Sequence, residues 1–107
     1  MAGQLLQLQR VVGVTFDTRA EYVRQLQVGD AVWLQIDQTN RHDAHAVQVL
    51  NSAGDQLGFI AARNSERVGK YIEVHSLEAT VVEVSRATGK FPYLVIKLAN
   101  PAVPTYV

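Results

Sequence analysis

The chain has 107 residues, of which 48% are hydrophobic, enough for one domain with a real core and too few for two lobes enclosing a substrate cleft. Ten basic residues balance ten acidic ones, so attraction to nucleic acid or an anionic membrane is not a property of the whole molecule and must come from a local patch. Cysteine is absent, which excludes disulfides, thiolate nucleophiles and cysteine-based zinc sites.

The opening MAGQLLQLQR lacks the charged-then-apolar order of a secretory leader, and no apolar run approaches the ~20 residues that span a bilayer. The expectation is a soluble cytoplasmic chain without membrane contact. Leu6, Leu8, Val12 and Val14 predict a first strand, with Gly13 inside it as a bulge or a close backbone approach. In TRAE, Thr18 as N-cap with Glu21 three residues later is a capping-box pattern that predicts a short helix stopped by Gly29. In DAVWLQI, Val32, Leu34 and Ile36 share one face of a strand, with Ala31, Trp33 and Gln35 on the other. Val47 and Val49 continue that phase in a second strand, and NSAGDQ turns the chain into a third at residues 57–60.

AARNSERVGKYIE then predicts a longer helix, with Ala61, Ser65, Val68 and Ile72 as its buried stripe. Arg63, Arg67 and Lys70 form a basic row on another face, which reads most simply as a solvated surface, and Glu66 can pair with Lys70. Two further strands follow, one from Leu77 and one in which Leu94, Ile96 and Leu98 alternate with Tyr93, Val95 and Lys97, joined by a turn at 87–90. Five or six short strands with two inserted helices hide both sheet faces best by closing into a barrel, with the longer helix as a plug.

His42, Asp43 and His45 offer nitrogen and oxygen donors suited to zinc, but a fourth donor would have to be His75 or Asp37, and nothing in the sequence brings either near. No metal or other cofactor is expected. Sequence neighbours such as His42 and Asp43 seldom face each other for acid–base work, and no nucleophile or phosphate-binding glycine loop accompanies them, so an enzyme is not expected. Phe16, His42 and Phe91 flank strand ends, where the loops of a small barrel gather. Aromatic platforms beside a few cations hold unpaired bases in such barrels; the alternative is that Phe16 and Phe91 plug the barrel ends.

The stretch from VVGVTFDT to RVGKYIE, continuing through the last strand, resembles the HIRAN domain over roughly residues 8–99. The resemblance is carried by V-G-V-T-F, by L-x-x-G-D before a strand, by N-x-x-D-x-x-A-V and by L-G-F-I before the helix. It implies a mainly β, six-stranded OB-like barrel with two short helices, one domain over 1–107; residues 100–107, which carry two of the three prolines, are expected to be an irregular tail. It also implies a non-catalytic module that grips the 3′ end of single-stranded DNA, accessory to a larger helicase or nuclease in repair or replication-fork processing. By the same resemblance Phe16, His42 and Phe91 are stacking residues, Asp43 accepts a hydrogen bond from the terminal hydroxyl, and Asn40 shapes the loop. A carboxylate at that place favours a hydroxyl and repels a continuing phosphate.

The family's usual N-P-Y-D-x-N-A reads N-R-H-D-A-H-A here, with Arg41, His42 and His45 in place of proline, tyrosine and asparagine. Imidazole offers less stacking area than phenol, and Arg41, Arg63 and Lys70 are the candidates for phosphate contact. Asn40 and Asp43 are also good turn formers, so a structural role for both stays open. The alternative function is a protein-interaction module whose signature is an apolar patch near Trp33 or Tyr93.

Overall fold

Alternating side chains become alternately inward and outward in a computed structural model of the chain, which describes residues 8–85 and 92–100. In chain order the elements are β1 (Leu8–Val12), α1 (Arg19–Arg24), β2 (Ala31–Ile36), β3 (Val47–Leu50), β4 (Gln56–Ile60), α2 (Ala62–Val74), β5 (Glu78–Val84) and β6 (Leu94–Ala99). The strands pair antiparallel in the order β1-β4-β3-β2-β5-β6, and β6 returns to β1 to close a barrel. The architecture is the mainly β, six-stranded barrel with two short helices that the sequence predicts. Register shifts at Val49/Leu50 and at Val81/Glu83 supply the local bends that so small a barrel needs.

Val47, Val49, Leu57, Leu94 and Ile96 are fully buried inside, each contributing roughly 1.5–3 kcal/mol through burial. The longer helix closes one end of the barrel. Its Ser65, Val68 and Gly69 are buried, and a methyl group at Gly69 would stand 3.6 Å from Val47 and 3.9 Å from Ile36. On the outer face the Tyr93 hydroxyl donates to the Glu83 carboxylate, and Arg10 lies 5.5 Å from the Tyr93 ring. The hydrogen bond to Glu83 holds the phenol protonated above its ordinary range. A raised pKa in the folded state means that this contact is present at neutral pH and is lost as pH rises through the raised value.

Three local expectations are corrected. Gly13 is no bulge within β1: at φ 72° it ends the strand in a turn, with the Phe16 N–H donating to the Gly13 carbonyl. The capping box does not form, because Thr18 adopts helical rather than extended backbone angles and its side chain makes no cap bond. The first helix also ends at Arg24, well before Gly29. The Gly29 N–H donates instead to the Val81 carbonyl, at the seam between β2 and β5. Leu6, the turn at 87–90 and residues 101–107 lie outside the described residues.

The barrel is drawn shut at Gly58. A Cβ there would stand 2.4 Å from the Val12 carbonyl oxygen and 2.8 Å from Val11 Cγ1, so only a glycine lets β1 and β4 pair at this point. Gly58→Ala is expected to cost about 3 kcal/mol, the upper end of overpacking penalties, read as a lowered midpoint in urea denaturation. An unchanged midpoint would show that β1 and β4 do not depend on this approach.

Candidate nucleic-acid interface

Two groups of side chains stand out from the barrel surface. The first grows from the turn after β1. Asp17 takes a left-handed conformation at φ 53°, which aspartate tolerates better than most residues, and the turn leaves Phe16 64% exposed. Arg19, at the start of α1, reaches back so that Nη1 donates to the Gly13 carbonyl at 3.0 Å. Its guanidinium then lies 5.4 Å from the Phe16 ring and 5.1 Å from the Phe59 ring on β4. Each such contact contributes ~0.5–1 kcal/mol at an exposed site, and together they make a flat, cationic platform.

Phe59 also anchors a row across the outer face. Val12 on β1 pairs with Phe59, and Phe59 pairs with Gln48, which pairs in turn with Gln35. Gln48 Nε2 donates to Gln35 Oε1 at 2.9 Å, and Gln56 Nε2 donates to Gln48 Oε1 at 2.8 Å.

The second group is the loop at 37–46, which is held by its own side chains. Asn40 Oδ1 accepts the backbone N–H groups of both His42 and Asp43 at 2.9 Å. Asp43 Oδ1 accepts the His45 N–H at 2.8 Å, and Asp43 Oδ2 faces the Ser65 hydroxyl of α2 at 3.2 Å. That hydroxyl also lies 3.0 Å from the Ala62 carbonyl. It has one proton and serves one acceptor at a time, so Asp43 Oδ2 keeps capacity for a further donor. Arg41 and His42 are exposed at the tip, and Asp43 is half-buried beneath them.

Arg63, Glu66 and Lys70 recur on one face of α2 behind this loop. Lys70 Nζ is 3.2 Å from Glu66 Oε1, the pair expected from their spacing, and His45 Nε2 is 4.0 Å from the same oxygen. Lys70 is therefore partly neutralised, whereas Arg63 and Arg41 make no ion pair among the described residues. Among those residues, too, no group of three His, Asp or Glu side chains could hold a metal ion.

The structure thus gathers Asn40, Arg41, His42 and Asp43 on one loop, with Lys70 linked to it through Glu66 and His45, and puts Phe16 in a separate cluster. No hydrogen bond, ion pair or ring contact among the described residues joins Phe16 to His42 or Asp43. The two groups meet the β3–β4 hairpin on adjacent strands, the loop leading into β3 and Phe59 lying on β4. Gln48, beside Phe59, is two residues from Ala46 at the end of the loop, about 7 Å of extended chain. Phe91 lies outside the described residues. Arg19 and Phe59 escaped the sequence reading. The outward phase of Phe59 in its strand was a signal, but its meeting with Arg19 depends on β1 pairing with β4.

Fold and surface together define a small OB-like barrel that presents an aromatic–cationic platform and a preorganised loop. Residues 7–98 match the HIRAN domain model, and the chain belongs to the HIRAN domain family, whose members are non-catalytic accessory modules. Solved structures that share the fold include a protein from Lactobacillus plantarum, with 24% identity, a TM-score of 0.69, and coverage of 87% of this chain and 92% of that one. They also include the HIRAN domain of human HLTF, with 20% identity, a TM-score of 0.64, and coverage of 88% and 75%. No curated protein sequence matches the chain. No helix among the described residues is long and apolar enough to cross a membrane.

Ser65→Ala removes the side chain that ties Asp43 to α2. It is expected to cost about 1.5–3 kcal/mol, the range for a hydrogen bond to a charged group, and to speed amide exchange at Asp43 and His45. Unchanged exchange at both amides would mean that the loop holds Asp43 without help from the helix.

Proposed function

We propose that this chain is a single-domain, non-catalytic module that binds single-stranded DNA and prefers a strand ending in a free 3′-hydroxyl. In this reading it acts in the cytoplasm, accessory to a larger helicase or nuclease in repair or fork processing. Two observations carry the proposal: the exposed Phe16 ring beside the Arg19 guanidinium, which also lies over Phe59 on β4, and a loop leading into the neighbouring strand β3 that holds Asp43 Oδ2 open to one more donor. Phe16 stacks on a base, an interaction worth ~1–3 kcal/mol, and Arg19 keeps guanidinium N–H groups for a phosphate. His42 adds a smaller second platform at the loop tip, and Phe91 would supply a third ring.

Asn40 fixes the turn so that the Asp43 carboxylate meets the terminal sugar. There it accepts a hydrogen bond from a hydroxyl and repels a phosphate. Arg41 and Arg63 are the cations free to meet the backbone, while Lys70 contributes less because Glu66 already engages it. With so few cations, the salt dependence should be shallow, about 0.7 in log–log slope for each phosphate contacted.

Fluorescence anisotropy at low salt tests this reading with an oligothymidine and its 3′-phosphorylated twin. The hydroxyl-ended strand is expected to bind several-fold tighter, and Asp43→Asn to narrow that difference. Phe16→Ala should weaken both strands by about 5- to 150-fold, following the stacking range. Equal affinities for the twins would remove the end preference, and no binding of either would remove the nucleic-acid reading.

A further inference from the structure

The barrel has a second, unrelated opening. β2 pairs with β3 along Trp33, Leu34, Gln35 and Ile36, but with β5 only at Ala31 and Val32. In an antiparallel ladder, alternate residues turn their N–H and C=O groups to alternate sides. Trp33 and Gln35 bond towards β3, so the backbone groups of Leu34 and Ile36 point the other way, past the start of β5. No strand among the described residues receives them.

This open edge runs along a groove between β2 and the last turn of α2. One half is lined by residues including Trp33, Leu34, Ile72, Val74 and Leu77, the other by Leu34, Ile36, Thr39 and Ile72, and Glu73 belongs to both. The floor is apolar and incompletely covered: Leu34, Ile36, Ile72 and Leu77 pack on the core yet stay partly exposed. Trp33 and Val74 stand further out, at 51% and 74% exposure.

We infer that this groove is a docking site for an extended peptide segment of a partner protein, one that alternates apolar and basic residues and adds a strand to β2. Three features select that occupant. Donor and acceptor pairs repeating every second residue, about 6.8 Å apart, match the backbone of another extended polypeptide and not the spacing of a sugar–phosphate chain. The apolar floor receives every second side chain of such a strand. Glu73 is the carboxylate common to both halves, and no lysine or arginine among the described residues lines either, so the groove's charge favours a cation on the partner. The same charge disfavours a second copy of this chain, which would set one Glu73 against another. Strand addition of this kind takes its affinity from main-chain bonds and its specificity from the alternate side chains.

The test uses the isotopically labelled full chain and three synthetic ten-residue peptides: alternating valine and lysine, alternating valine and glutamate, and the first methylated on every backbone nitrogen. The valine–lysine peptide is expected to shift the amide resonances of Leu34 and Ile36 and to slow their hydrogen exchange. The methylated copy should not bind measurably, and the glutamate peptide should bind about two- to fivefold more weakly, the scale of one exposed ion pair. Glu73→Lys, at an exposed helix position, should reverse the order of the two charged peptides. Slow exchange of Leu34 and Ile36 in the free chain, shifts elsewhere only, or binding by the methylated copy would overturn the proposal. So would pairing of the chain with itself at this edge.

Discussion

The barrel closes through two short seams, and its surface features follow from them. β1 meets β4 over two residue pairs, and so does β2 with β5, whereas β5 and β6 share six. Closing a sheet of strands this short requires tight local bending, and a short seam leaves backbone groups that other parts of the chain must satisfy. At the first seam, Gly58 admits the Val12 carbonyl, and Arg19 bonds the Gly13 carbonyl where β1 gives out. That repair sets a guanidinium against Phe16 and Phe59. At the second, Val81 exchanges backbone bonds with Gly29 and Asp30, and beyond Val32 no strand among the described residues pairs with this edge. One seam is closed over by cation and aromatic rings; the other is left as a groove.

The loop at 37–46 answers the question raised by two histidines flanking an aspartate. Asn40 and Asp43 accept backbone N–H groups within the loop, so side chains of the loop itself hold its shape. Structural and ligand-binding roles for Asp43 are compatible here because they use different capacity. Oδ1 is committed to the loop, and Oδ2 shares a single hydroxyl proton with the Ala62 carbonyl.

Much of this was legible in residue periodicity, because burial in a strand has period two and in a helix about 3.6. Val32, Val47, Val49, Leu94 and Ile96 were recognisable as interior from their phase alone, and so were Ser65 and Val68 on α2. Local chemistry read in isolation misled. Thr18 and Glu21 have capping-box spacing, yet the turn through Asp17 fixes Thr18 in helical angles first. Gly13 looked like a bulge because its neighbours are β-formers, and it is a turn because the chain must reach α1. The Arg19–Phe59 contact was illegible for a different reason: it joins residues forty positions apart through a pairing that no local pattern announces.

The claim at the centre is that the platform at Phe16 and the loop at Asp43 receive one strand end together. Photocrosslinking tests it most directly, using an oligonucleotide with 5-iodouracil either as its last base or in its interior. The account predicts that the terminal label crosslinks to Phe16 or to the loop tip at His42, and that the interior label reaches these positions far less. Equal crosslinking by both labels, or crosslinks concentrated on the exposed Trp33 across the barrel surface, would contradict it.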